Sequence, residues 1–292
     1  MSSPLRYPGG KRKLVPRLSE LLAGSAGAFV ECCVGGGALF WDLVPGFPTR
    51  AQVVLADASP AVRALYRRGV DVDLARELFA DSEREGGYEA LRDLLNADLQ
   101  DQRCGLPANE RRIAAAFWLL NRMCCNGVVR FNKRGEFNVP RGKRQSGAYL
   151  RPSEAQFCEA ARATDLLRGL HPTVLADCAL AVDLALRGAF VYADPPYSGG
   201  FVAYTREGWS TDDDIRLYEA LGRAARAPRR VARPPARTTT WFTARTPRAR
   251  ARTRRARRPG RSSSTARDRG RAGGPRACAT GGRLPASRAR RP

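Results

Sequence analysis

Asp194-Pro195-Pro196-Tyr197 sets a carboxylate, two prolines and an aromatic ring directly after the apolar run Ala189-Phe190-Val191-Tyr192-Ala193. Proline fixes φ and has no amide donor, so a buried strand cannot run through a proline pair. The strand must stop at the acid, which leaves Asp194 at its tip beside the rigid carbonyl of Pro195. A carboxylate, a fixed carbonyl and an aromatic ring so placed could serve a site. A simple strand-ending turn is the plainer reading, and the rest of the chain must decide between the two.

A second set of residues lies near the N-terminus. Ala28-Phe29-Val30-Glu31-Cys32 is a short apolar run entering Val34-Gly35-Gly36-Gly37, and Ala38-Leu39-Phe40-Trp41-Asp42-Leu43 reads as the start of a helix. The pattern is strand, glycine turn, helix. Gln52-Val53-Val54-Leu55-Ala56-Asp57 is a second strand that ends on an acid, and Ser59-Pro60 opens another helix with proline in its first turn. Glycines let a ligand approach the backbone, and an acid roughly 20 residues on, at the tip of the next strand, suits a pair of ribose hydroxyls. The pocket fits an adenosine-bearing cofactor, although the glycines do not spell the G-x-G-x-x-G of dinucleotide folds. Leu5-Arg6-Tyr7-Pro8-Gly9-Gly10-Lys11 would lie over that cofactor, with Tyr7 to stack, Gly9 and Gly10 for close approach and Lys11 to pair with a carboxylate.

The elements that must position these residues are those of an α/β protein. The chain has 292 residues, enough for one large domain or two small ones. Its net charge of +23 points to a polyanion, but the charge is unevenly spread. Residues 223–292 hold 23 Arg, no Lys and Asp268 as the only acid, which leaves +1 for residues 1–222. The eight cysteines form no C-x-x-C, and His171 is the only histidine, so no zinc site is expected. The N-terminus has no apolar signal segment, and no run reaches the roughly 18 apolar residues of a membrane span. Reduced thiols and a cytoplasmic location follow as expectations.

Taken in order, the glycine-lysine opening, Phe29-Val30-Glu31 leading into Gly35-Gly36-Gly37, an insert and then Asp194-Pro195-Pro196-Tyr197 resemble the Dam-type (D12 class) family of site-specific DNA adenine N6-methyltransferases. The resemblance covers residues 4 to about 222. It implies a Rossmann-like S-adenosylmethionine-dependent methyltransferase sheet carrying a helical DNA-recognition insert. Cofactor contacts would fall on Tyr7, Lys11, Glu31, Gly35, Gly37, Asp57 and Asp194. Tyr7 stands where the family often has tryptophan, and Cys32-Cys33 replaces a usual proline-phenylalanine; neither change removes a needed group. The resemblance also supplies a chemistry for Asp194, Pro195, Pro196 and Tyr197. The exocyclic amine of adenine is a poor nucleophile because its lone pair is delocalised into the ring. Hydrogen bonds from it to Asp194 and the Pro195 carbonyl favour a pyramidal nitrogen, while Tyr197 stacks on a base rotated out of the duplex. Positioning and electrostatics carry such a direct transfer, with no metal and no covalent enzyme nucleophile. Cytosine-N4 enzymes of the wider group resemble Ser-Pro-Pro-Tyr at this point and are the alternative reading.

Four segments result: 1–58 and 177–222 as the two parts of the methyltransferase domain, 59–176 as the insert, and 223–292 as a tail. Within the insert, Arg111 to Leu120 reads as an apolar helix that places Phe117 and Trp118 in the core. The following stretch is basic, with seven Lys and Arg from Arg122 to Arg144 against Glu136 alone, and Lys133-Arg134-Gly135-Glu136 reads as the tip of a hairpin. Its likeness to the family's N-G-x-x-R-x-N-x-x-G-x-F-N-x-P-x-G stretch implies DNA near Arg130, Asn132, Asn138 and Arg141. Beyond Tyr197, Phe201 and Tyr204 suit a loop that closes over the base. Ser210 and Asp213 then cap a helix carried on by Ile215, Leu217, Tyr218 and Leu221.

The tail has too few apolar residues to offset the entropy of ordering and is expected to be disordered. It reads either as a nonspecific nucleic-acid segment or as G/C-rich DNA translated out of frame, since arginine without lysine fits that origin. The latter reading predicts that the C-terminal part of the sheet is missing, which would leave the Asp194 strand as an exposed apolar edge. The non-enzymatic alternative is then an inactive remnant that holds nucleic acid through its basic tail.

Overall fold

Alternation along the central strands creates two apolar faces, and the architecture follows from covering both. The computed structural model describes residues 3–7, 11–22, 28–43, 46, 51–185, 189–196, 205–226 and 241–242. Its strands are β1 (Ala28–Cys32), β2 (Gln52–Ala56), β3 (Thr173–Leu175), β4 (Phe190–Ala193) and β5 (Trp241–Phe242). They form one parallel sheet in the order β3-β2-β1-β4-β5. Phe29, Val53, Leu55, Phe190 and Tyr192 enter one core, while Val30, Cys32, Val54, Ala56, Val191 and Ala193 enter the other.

The described helices are α1 (Val15–Leu22), α2 (Ala38–Leu43), α3 (Pro60–Arg68), α4 (Val72–Ser82), α5 (Gly87–Arg103), α6 (Glu110–Met123), α7 (Glu154–Leu170), α8 (Cys178–Asp183) and α9 (Thr211–Arg226). Several begin where the sequence places a cap. Ser59 Oγ accepts from Val62 N at 3.4 Å ahead of Pro60, and Asn109 Oδ1 accepts from Arg112 N at 3.0 Å. At α9, Asp213 N donates to Ser210 Oγ at 3.2 Å while Ser210 N donates to Asp213 Oδ2 at 2.9 Å, the reciprocal box expected there. Leu217 and Leu221 of α9 are buried, whereas Ile215 and Tyr218 stay exposed.

The first core is the larger and is organised around α6, every residue of which from Ile113 to Met123 is buried. Phe117 and Trp118 lie in this core, as their burial tendency suggests. The second core is closed by α8 and α9. From β1 the chain steps to β2 and β3 on one side, then returns to β4 on the other side of β1. The strand order reverses between β1 and β4, and at such a point an open α/β sheet offers a ligand crevice outside the C-terminal ends of its strands.

A strand is present beside β4: Trp241 and Phe242 pair in parallel with Tyr192 and Ala193. This strand is two residues long and pairs only the last two residues of β4, and no further strand follows it among the described residues. Helix α9 also continues to Arg226, beyond the 222 boundary. The rest of 223–292 lies outside the described residues. Edge strand β3 falls inside the span 59–176 and pairs with β2.

Candidate active site

The crevice is built from three strand tips. Val34 N donates to Ala56 O at 2.9 Å, and Asp194 N donates to Cys32 O at 3.5 Å, which ties the ends of β1, β2 and β4 together. The chain then turns through Gly35 at φ 47° and Gly37 at φ 60°, values that favour glycine. Space makes the same demand at Gly37, since a Cβ there would lie 2.3 Å from Tyr66 Oη. Tyr66 supports the turn from below: its hydroxyl donates to Gly35 O at 3.2 Å and accepts from Trp41 Nε1 at 3.3 Å.

Asp57, at the tip of β2, faces this turn. Its Oδ2 accepts from Gly35 N at 2.8 Å and its Oδ1 accepts from Ser59 N at 2.8 Å. Arg63 Nη1 braces the same corner by donating to Asp57 O at 2.9 Å and Ala58 O at 2.7 Å. Burial pushes the Asp57 carboxyl up to about 6, against the pull of the Ser59 and Gly35 amides. Each carboxylate oxygen can accept more than one hydrogen bond, so the two backbone donors do not use up its capacity.

Asp194 lies at the tip of β4 and is joined to the N-terminal segment. Lys11 Nζ donates to Asp194 Oδ2 at 2.5 Å, and the side chains are 25% and 18% exposed. Tyr7 packs over the glycine turn: a Cβ on Gly35 would lie 2.8 Å from Tyr7 Cε1, and one on Gly36 would lie 2.6 Å from Tyr7 Cβ. Two segments far apart in sequence therefore converge with Asp57 and Asp194 on one crevice. Glu31 points inward, where its Oε2 accepts from Phe40 N at 3.0 Å. Burial raises its carboxyl to about 8, opposed by the Phe40 amide and assisted by the nearby Asp194 charge. Pro195 and Pro196 follow Asp194 out of the sheet, half-buried. Tyr197, Gly9, Gly10, Phe201 and Tyr204 lie outside the described residues.

A family model of the D12 class of N6 adenine-specific DNA methyltransferases matches residues 7–230. The chain belongs to that family. Its sequence is similar to the type II methyltransferase M1.LlaDCHI of Lactococcus lactis subsp. cremoris, at 32% identity over 74% of each chain. It is also similar to the type II methyltransferase M.MjaIII of Methanocaldococcus jannaschii, at 29% identity over 73% of this chain and 76% of the relative. The DNA adenine methylase of Serratia marcescens is 30% identical over 73% of this chain and 75% of its own length. Adenine, not cytosine, is the base of this family, and S-adenosylmethionine is its methyl donor. Among the described residues, no cluster of three or more His, Cys, Asp or Glu could hold a metal ion. No described helix is long and apolar enough to cross a membrane. The described cysteines are free thiols, with Cys33 and Cys178 Sγ 3.4 Å apart beside the crevice.

The methyltransferase's basic segment forms the hairpin read from its sequence. Phe131 bridges Phe137 in antiparallel fashion, and Asn132 N donates to Glu136 O at 3.0 Å. Asn96 of α5 pins this hairpin, accepting from Phe137 N at 2.7 Å and donating to Phe137 O at 3.1 Å. The four residues expected near DNA have unlike surroundings. Arg130 is exposed, with Nε donating to Asn138 Oδ1 at 2.8 Å. Asn132 shapes the turn, since its Oδ1 accepts from Arg134 N at 2.9 Å and Glu136 N at 3.0 Å while its Nδ2 donates to Glu136 Oε2 at 2.7 Å. Arg141 has a side chain only 13% exposed, pairs with Glu83 and stacks over the Tyr149 ring at 4.6 Å. Arg122, counted with the basic stretch by sequence, is buried and donates to Pro4 O. Local charge does not tell where a helical arginine points, because that depends on which face of its helix packs inward.

Sequence reading also passed over Asn121. It lies one residue before Arg122 and three after Trp118, so all three share one face of α6. Trp118 Nε1 donates to Pro4 O at 3.1 Å, and Asn121 bonds both polar groups of the Arg6 backbone. The available signal was an Asn-Arg pair at the end of an apolar helix, where buried polar groups need partners.

Proposed function

We propose that the chain transfers a methyl group from S-adenosylmethionine to the N6 amine of an adenine rotated out of duplex DNA, at a specific recognition site. The carrying observation is the convergence of Lys11–Asp194, the Gly35–Gly37 turn and Asp57 at the point where the strand order reverses. S-adenosylmethionine, when bound, supplies an electrophilic methyl on a sulfonium centre.

Asp57 is the group suited to ribose hydroxyls, because its oxygens keep accepting capacity beside a turn where glycine allows close approach. Tyr7 offers an aromatic face over that turn, and Glu31 holds the start of α2 through Phe40 N. Asp194 and the Pro195 carbonyl would accept the two hydrogens of the target amine. These contacts oppose delocalisation of the nitrogen lone pair and fix its direction, which is electrostatic preorganisation at the reacting atom. The amine gives up one proton as it gains the methyl, and the Asp194 carboxylate is the adjacent acceptor. Lys11 holds that carboxylate in place before the base arrives. Tyr197 would stack on the base. Arg130 with Asn138, and Asn132 and Arg141 through the hairpin they shape, would line the DNA.

The test is methyl transfer with purified chain, S-adenosylmethionine and unmethylated duplex DNA, read by mass analysis of the digested nucleosides beside Asp194→Ala. N6-methyladenine that falls by about 10³-fold or more in the variant is expected, comparable to or larger than the loss of a preorganised transition-state contact. N4-methylcytosine, or transfer that survives in Asp194→Ala, would overturn the reading.

A further inference from the structure

Residues 4–6 run against one face of α6 and are held there by side chains rather than by a sheet. The Pro4 carbonyl accepts from Trp118 Nε1 at 3.1 Å and from Arg122 Nη2. Asn121 takes the next residue by its backbone: Oδ1 accepts from Arg6 N at 2.8 Å, and Nδ2 donates to Arg6 O at 2.8 Å. The remaining hydrogen of Nδ2 reaches Gly127 O at 3.1 Å. An amide offers one acceptor and two donors in fixed directions, so these three partners define its orientation. Asn121 is wholly buried.

Gly127 lies in the Asn126-Gly127 turn, within the basic segment and just ahead of Arg130, with Asn126 at φ 55° and Gly127 at φ 64°. A Cβ on Gly127 would lie 2.3 Å from Arg6 Cβ, so the turn and the N-terminal segment are in direct apposition. One residue past Arg6 is Tyr7, which covers the glycine turn. A single side chain therefore joins the loop over the cofactor crevice to the start of the segment that carries Arg130.

We propose that Asn121 is a positioning residue of the methyl-transfer reaction. It sets Tyr7 over the Gly35–Gly36 turn by fixing the Arg6 backbone, and it ties that placement to the Asn126-Gly127 turn at the root of the DNA-facing hairpin. The proposal rests on the cofactor reading of the crevice given above. Loss of the amide removes the donor to Arg6 O and Gly127 O and the acceptor of the Arg6 amide; the Gly127 bond is buried and the two Arg6 bonds are partly buried, so the segment loses the contacts that fix its position. Tyr7 then loses its fixed height above the turn, and cofactor affinity falls.

The experiment compares Asn121→Ala with the wild type and with Thr164→Val. Thr164 is likewise buried and bonds Val70 N at 2.7 Å, on α7, and provides a loss of core hydrogen bonds outside the crevice. Three quantities are read: the dissociation constant for S-adenosylmethionine, the melting temperature, and amide hydrogen exchange at residues 5–7 and 127–128. In Asn121→Ala the dissociation constant should rise about tenfold and exchange at both segments should accelerate. Thr164→Val should lower the melting temperature and leave both other readouts at wild-type values. An affinity within twofold of wild type in Asn121→Ala, or equal losses of affinity in the two variants, would overturn the proposal. Should the wild-type chain bind no S-adenosylmethionine, the cofactor reading fails by itself. Exchange at residues 5–7 then decides whether Asn121 holds the segment, and an unchanged rate there would reject it.

Discussion

The strand-tip crevice and the basic segment both carry residues with a motif's spacing, but the fold treats them differently. At the crevice, Asp57 and Asp194 each follow the last residue of a parallel strand, and adjacent strands bring them to the Gly35–Gly37 turn. Their positions follow from pairing that apolar alternation already imposes. In the segment from Arg122 to Arg144 no such frame exists. Arg122 turns inward to Pro4, Arg141 is held by Glu83 and Tyr149, and Arg130 remains exposed. Position at a strand end predicts convergence, whereas density of charge does not predict which charges face a ligand.

The largest effect that sharpens this contrast is at Gly37. A Cβ there meets Tyr66 Oη on a backbone of positive φ, so Gly37→Ala should destabilise the chain by about 2–4 kcal/mol and lower the urea midpoint. An unchanged midpoint would mean that the turn is not set by glycine geometry, and the crevice would lose its claim to a rigid frame.

Arginine substitutions probe the second region directly. Arg122→Met should cost about 1.5–3 kcal/mol of stability, because Pro4 O loses a charged donor, and should leave the salt dependence of DNA binding as it was. Arg130→Met should do the reverse, keeping the midpoint and reducing the slope of log affinity against log salt by about one counterion. If Arg122→Met were the variant that changed the slope, the division of the basic segment into structural and DNA-facing charges would be broken.

A smaller effect concerns pH. The Asp57 carboxyl is raised to about 6, so it is ionised above that pH and protonated below it. Hydroxyl donors prefer the ionised form, and affinity for S-adenosylmethionine should weaken by about tenfold for each unit that pH falls below 6, the limit for a group required ionised. Asp57→Asn should bind more weakly at pH 8 and show a flat profile between pH 5 and 7 by calorimetry. A wild-type profile that is already flat would remove Asp57 from the cofactor contacts.

Much of the fold was legible because the signals were local. The run Ala28–Cys32, the glycines after it, the acid after Ala56 and the prolines after Asp194 mark strand ends that depend on little beyond alternation and backbone geometry. Ser59-Pro60 and Ser210 with Asp213 fixed helix starts for the same reason. The hairpin about Lys133–Glu136 was also readable, its turn being made by Asn132 and Gly135 within the hairpin itself.

Other features depended on partners distant in sequence. Nothing near Trp241-Phe242, which stand in an arginine-rich setting, tells that these two residues pair with β4, since the partner strand lies some fifty residues earlier. Arg122 and Arg130 are equal as sequence, and only the packing of α6 against residues 4–6 decides that the first is buried.

By itself the sequence determined the strand tips, the glycine turn and the carboxylates that end β2 and β4, because period-two burial and proline and glycine geometry act over a few residues. The tertiary structure alone decided that Lys11 meets Asp194, that Tyr7 covers Gly35 and Gly36, and that Asn121 links the Arg6 backbone to Gly127. Those contacts join segments separated by up to 183 residues. Their geometry is set by how the sheet and α6 pack, which no local propensity encodes.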